Sequence, residues 1–225
     1  MIITKTPYRI SFFGGGSDYP EWYKKYGGMV LSTTIDKYIY ISCRYLPKFF
    51  KHKYRIVWSK IENVRDINQI QHRAVKKLLE HLKVKQGLEI HYDGDLPARS
   101  GMGSSSCFAV GLSKALYKIK GQELSKQQLA KKTIEFEQKI MKEIVGSQDQ
   151  TIASYGGFNK IIFNKNNNFN KGILLTAAGS FWWGFIGVIY FKYISFVGHI
   201  EVVIHRCLWT TNAYKSTRNC NCSRT

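Results

Sequence analysis

The sequence predicts an α+β domain, and three observations lead there. The N-terminal third is rich in strand candidates, and the next hundred or so residues run helix, strand, loop, helix, helix, strand. A turn-forming run, Leu96-Pro97-Ala98-Arg99-Ser100-Gly101-Met102-Gly103-Ser104-Ser105-Ser106, separates a short strand from a helical segment. Length and composition agree: 225 residues, 44% of them hydrophobic, hold one domain with a sizeable core, or one and a half.

Residues 2–13 read as a strand that stops at Gly14, Gly15 and Gly16, which allow a tight backbone path. On its own this cluster is a hairpin turn. Residues 30–35, 38–46 and 54–58, rich in Val, Ile, Thr and Tyr, are further strands. From about 68 to 84, Ile70, Val75, Leu78, Leu79 and Leu82 recur at helical spacing. His72 and His81 fall on its solvated or half-buried faces, without Cys or His partners at metal-ligand spacing. A short strand at 88–92 leads into the turn-forming run, and a helix over 104–119 ends at Gly121. Ser125 with Gln128 is a capping box opening a helix over 126–143. Its apolar stripe is Leu129, Thr133, Phe136 and Ile140, with Glu135 and Glu137 elsewhere. A short helix starts after Gly146, and a strand at 158–163 comes after Gly156-Gly157.

The net charge of +19 raises the question of nucleic acid. The basic residues are scattered without a block of like charge, and Lys, Ile, Asn and Tyr are all abundant, as in an AT-rich coding sequence. No nucleic-acid partner is expected, whereas a moderately basic face suits phosphorylated small molecules. Cys43 and Cys107 sit in apolar segments and read as buried thiols of a reducing compartment. The first residues lack a signal-peptide pattern, so the expected location is cytoplasmic.

Glycines in the 96–106 run let the backbone approach a ligand, serines can cap the next helix, and free N–H groups at a helix start attract anions. A phosphate cradle is one reading and a plain capped helix the other. The run lacks the Gly-Lys-Ser/Thr ending of a P-loop and the third glycine of a dinucleotide fingerprint.

Residues 97–106 resemble the second motif of the GHMP kinases. Two other stretches match that family in order: Pro7-Tyr8-Arg9-Ile10-Ser11-Phe12-Phe13-Gly14-Gly15-Gly16-Ser17-Asp18-Tyr19, and Gly146-Ser147-Gln148-Asp149-Gln150. The triple glycine, the wording of the serine loop and Gln-Asp-Gln are most similar to the bacterial branch that phosphorylates heptose 7-phosphate. The resemblance covers about residues 1–165. It implies a ribosomal S5 domain 2-like fold, ATP and Mg²⁺ as cofactors, and transfer of the γ-phosphate to the anomeric hydroxyl of D-glycero-D-manno-heptose 7-phosphate. Arg99, Ser100, Gly101, Met102, Gly103, Ser104 and Ser105 would bind nucleotide. Ser105 and Glu137 would hold the metal, with Glu135 as rival. Gly14, Gly15, Gly16, Ser17 and Asp18 would bind substrate, Asp18 through its carboxylate. Asp149 would act as general base or orient the hydroxyl, its alternative role being a helix cap, and Arg9 would keep it ionised by lowering its pKa. Other sugars, fucose or galactose, are the alternative substrates.

After the asparagine-rich run at 164–170 the resemblance stops. Residues 171–225 carry one acidic residue, Glu201, and six Lys or Arg, with three of the five Trp and three of the five Cys. The domains expected are therefore an ATP-binding domain over 1–165 and an anomalous tail over 166–225, with the family's second domain missing or replaced. A frameshifted tail is the leading expectation and leaves activity impaired. A transmembrane span over 173–191, giving a non-catalytic membrane-associated protein, is disfavoured by Trp182-Trp183 in its middle. A small alternative domain is the third reading. Cys207, Cys220 and Cys222 form only a weak zinc pattern. Sequence leaves the oligomeric state open.

Overall fold

The chain opens with β1 (Ile2–Phe13), turns through α1 (Pro20–Tyr26) and enters β2 (Gly28–Tyr45), the strand on which the sheet is built. The structure is a computed structural model that describes residues 1–98 and 100–165. Pro20 at the start of α1 has its φ preset for a helix. β2 is one continuous strand where the sequence suggested two segments, because it has different partners along its length. β1 pairs with it antiparallel from Ile2↔Cys43 to Phe13↔Leu31. That register shifts between Pro7 and Arg9 and again between Ser11 and Phe13. Proline has no N–H to give the ladder, and such irregularities re-aim the side chains beside them.

A hairpin of β3 (Tyr54–Val57) and β4 (Ile61–Val64) comes next. β5 (Leu88–Gly94) then pairs antiparallel with the second half of β2 and parallel with β3. β6 (Phe158–Phe163) pairs with the first half of β2, so the sheet order is β1-β2-β5-β3-β4 with β6 beside β2. The return from the hairpin to a parallel strand requires a crossover, and α2 (Arg73–His81) supplies it. The sequence pattern placed a helix over 68–84. Its first part is instead a 3₁₀ turn at Ile67–Gln69 capped by Asp66, and the α-helix itself is capped by His72, whose Nδ1 accepts from the Val75 N–H.

α3 (Ser104–Ile119) is the central helix of the core. Its Leu112, Ala115 and Leu116 are fully buried, as are Ile39, Ile41 and Cys43 of β2 and Leu79 of α2. Burial of each such Leu or Ile contributes about 1.5–3 kcal/mol. The Thr4 hydroxyl donates to the Gly111 carbonyl at 3.1 Å, which ties α3 to β1. Ile3, Lys5 and Arg44 point the other way and are exposed. α4 (Lys126–Glu135) begins at the Ser125–Gln128 capping box and passes into a π turn, Phe136–Ile140. α5 (Gln148–Tyr155) packs against α3 and α4, and a smaller cluster joins its Ile152 to Val30, Ile161 and Phe163. The result is an α+β arrangement. No helix among the described residues is long and apolar enough to cross a membrane, and residues 173–191 lie outside them.

Candidate active site

The three motifs meet at one side chain. Arg9 leaves β1 at the register shift, while Asp149 sits in the first turn of α5. Arg9 Nε donates to Asp149 Oδ1 at 2.7 Å and Nη2 to Oδ2 at 2.8 Å, a bidentate pair. Its remaining Nη1 donates to the Gly101 carbonyl at 2.9 Å, and its backbone N–H donates to the Met102 carbonyl at 3.3 Å. Ser147 occupies the cap position of α5, so Asp149 is not the helix cap.

Arg9 does not win the contest over the Asp149 proton. Withdrawal from water is the largest influence and raises its pKa above the ordinary aspartate value, against the opposing pull of Arg9. The lowered pKa expected from the neighbouring cation is thus corrected by burial. A carboxylate raised in this way is a better proton acceptor than a free one, and the bidentate contact fixes the direction it faces.

The serine loop closes over this pair. Gly103 caps α3 with φ +72°, and no serine side chain does so. A Cβ on Gly103 would lie 3.0 Å from Asp149 Oδ2, so glycine is required both by the backbone conformation and by the closeness of the carboxylate. Gly101 is exposed, Met102 and Ser104 are half-buried, and Ser105 is exposed on the first turn of α3. The Ser100 hydroxyl is buried without a hydrogen-bond partner among the described residues. Arg99 lies outside the described residues.

Glu137 is brought inside by the π turn, in which the Met141 N–H donates to the Phe136 carbonyl. It is 2% exposed, accepting from Ser106 Oγ at 2.9 Å and from the Gln150 side-chain amide. No ion pair among the described residues involves it, and burial pushes its pKa up to about 7. Gln150 Oε1 beside it is buried without a partner. Oxygen donors with no cation among them fit a hard divalent ion that retains most of its waters. Glu135 faces solvent instead, paired with Lys139 at 3.0 Å. Ser106, not Ser105, bonds Glu137. Ser106 and Gln150 carry no role in the sequence reading; the one available signal was their place inside the two motifs.

On the far side of Arg9, the glycine cluster forms the turn after β1. Gly14 has φ +82°, and a Cβ there would meet the Met29 carbonyl oxygen at 1.8 Å. Ser17 Oγ donates to the Gly14 carbonyl at 2.7 Å and accepts from the Met29 N–H at 3.1 Å. Gly14, Gly15 and Gly16 are exposed, but Asp18 is 1% exposed. Its carboxylate accepts from the Gly16 N–H at 3.0 Å and the Gln148 N–H at 3.1 Å. Asp18 therefore ties the glycine turn to the start of α5. Ser11 Oγ donates to Gln148 Oε1 at 3.0 Å between them.

The chain is also similar in sequence and fold to known proteins. Residues 69–157 match the family model described as GHMP kinases N terminal domain. A D-glycero-alpha-D-manno-heptose 7-phosphate kinase of Campylobacter jejuni is 31% identical over 179 residues, which cover 73% of this chain and 51% of that protein. A mevalonate kinase of Methanocaldococcus jannaschii is 32% identical over 100 residues, 44% of this chain and 31% of that one. Among solved structures, a D-glycero-D-manno-heptose 1-phosphate kinase from Bacteriodes thetaiotaomicron superposes with a TM-score of 0.67 at 26% identity, covering 74% of this chain and 57% of its own. Lactococcus lactis galactokinase shares the fold, with a TM-score of 0.57 at 18% identity over 73% of this chain and 45% of its own. The chain spans about half the length of the heptose kinases it matches.

Proposed function

We propose that this chain, whose residues 69–157 match the N-terminal domain of the GHMP kinases, is a kinase of that family and transfers the γ-phosphate of ATP to a sugar hydroxyl. The acceptor we assign is the anomeric hydroxyl of D-glycero-D-manno-heptose 7-phosphate. The observation that carries the reading is the Arg9–Asp149 pair held directly under Gly103 of the serine loop. The acceptor comes from the relative 31% identical to this chain.

In this mechanism the loop from Ser100 to Ser105 surrounds the phosphates, and the start of α3 adds the positive end of its dipole. Asp149 takes the proton of the acceptor hydroxyl as the new oxygen–phosphorus bond forms and the bond to the β-phosphate breaks, releasing ADP. Arg9 holds that carboxylate at the angle required and offsets charge that develops beside Gly101. Glu137 and Ser105 would hold Mg²⁺, which when bound neutralises phosphate charge, with Ser106 and Gln150 orienting the Glu137 carboxylate. The turn from Gly14 to Ser17 forms the acceptor-side wall, and Asp18 acts by keeping it against α5. All the residues given roles here lie within residues 1–165.

Two measurements test the proposal. A ligand that binds only the folded state raises the melting midpoint, so Mg·ATP should shift a cooperative melt upward. ADP release should then be at least about tenfold faster, as kcat/KM, with the 7-phosphorylated heptose than with the same heptose lacking phosphate. Turnover with galactose or fucose in its place would reassign the acceptor. Absence of both melt shift and turnover would show a non-catalytic chain.

A further inference from the structure

The opposite end of the sheet holds a second cavity, of about 660 Å³, that phosphoryl transfer at Asp149 does not use. It lies where β2 ends at Tyr45, β3 begins after Lys53, β4 gives way to Arg65 and β5 begins after Gly87. The serine loop lies beyond the other end of β5, after Gly94. Seven residues of strand put about 20 Å between the two, so one small ligand cannot occupy both.

Lys48, Lys51, Lys53, Arg65 and Lys85 line this cavity, and no carboxylate does. None of these five takes part in an ion pair among the described residues. Five like charges around one concavity repel one another, and an entering anion relieves that repulsion. His52 adds a ring nitrogen: its Nε2 is buried and has no hydrogen-bond partner among the described residues, an omission that proteins seldom leave standing. The Phe50 ring lies 5.3 Å from the His52 ring, tilted by 39°, and gives the wall an apolar face. The volume falls within the roughly 300–1,000 Å³ typical of small-molecule pockets. We propose that this cavity is a second, non-catalytic site for a small, freely diffusing anion carrying two or more phosphate groups.

Calorimetric titration of the full chain with magnesium-free tripolyphosphate, at physiological ionic strength, tests this. Three proteins are compared: wild type, K51E/K85E in the cavity, and K24E/K131E, which changes the net charge equally at exposed positions elsewhere. All four lysines are exposed, so the fold should survive, and a thermal melt verifies it. Wild type should bind one tripolyphosphate per chain at this cavity, besides any held by the serine loop. K51E/K85E should lose at least about tenfold in affinity, while K24E/K131E changes by less than about twofold. Equal weakening in both pairs, no weakening in either, or no binding by wild type would overturn the proposal. Displacement of tripolyphosphate by a short single-stranded RNA that binds more tightly would also overturn it, by making the cavity part of a nucleic-acid surface.

Discussion

Asp149 and Glu89 are both carboxylates held by arginine, and they depart from their ordinary pKa values in opposite directions. Asp149 has one cation, Arg9, and burial raises its pKa in spite of it. Glu89, on β5, is also pushed up by burial. Yet hydrogen bonds from His91 at 2.9 Å and Arg44 at 2.6 Å bring it below the usual glutamate value. Its arginine partners, Arg44 and, at 3.5 Å, Arg55, are 47% and 36% exposed, so their charges are not themselves costly to keep. Arg9 must divide its donors between Asp149 and the Gly101 carbonyl. The lesson is that an ion pair does not define a role: the surplus of donors at Glu89 locks a strand pair, and their shortage at Asp149 leaves a carboxylate suited to the base role proposed for it.

The largest expected effect that would sharpen this contrast is Asp149→Asn, which should lower kcat by at least about 10³-fold. Arg9→Lys keeps the charge but loses the two-pronged contact, and should cost about 10²-fold in kcat with a smaller change in KM. Because the Asp149 pKa is raised, the acidic limb of the wild-type pH–rate profile should fall above pH 3.8, the ordinary aspartate value. A limb below that value would break the comparison. Gly103→Val pushes a side chain toward Asp149 Oδ2 and forces a β-branched residue into φ +72°, so the Mg·ATP-induced rise in melting midpoint should vanish.

Glu89→Gln is the smallest, a loss of about 1 kcal/mol at pH 7, since its partners are solvent-screened. Its folded pKa lies below the unfolded one. Its stabilisation is therefore present above about pH 4.5 and lost as the pH falls through the lowered value, below which the two melting curves should converge. Melting midpoints across that range check the sign.

Much of the fold was legible because periodicity and caps are local. β1, α3, the Ser125–Gln128 box and β6 coincide with their sequence patterns. The miss at 126–143 has a specific cause: a period of 3.6 carries the helix past Phe136, but the chain takes a π turn there and buries Glu137 beside Phe136. No single-sequence period announces such a turn. The motifs told which segments gather at one site, while the pairings inside it depend on three-dimensional approach. Sequence pointed Asp18 outward, and only the nearness of the Gln148 N–H shows it facing in. Likewise Ser105 and Ser106 are neighbours in the same run, and it is helix phase that gives Ser106 to Glu137.

The most direct test of the central claim is transfer of labelled γ-phosphate from Mg·ATP to heptose 7-phosphate by wild type and Asp149→Asn, run beside their melts with Mg·ATP. The account requires label in the sugar with wild type, none above background with the variant, and an upward melt shift in both. Equal transfer by the two proteins would remove Asp149 from the chemistry, and with it the reading of this site.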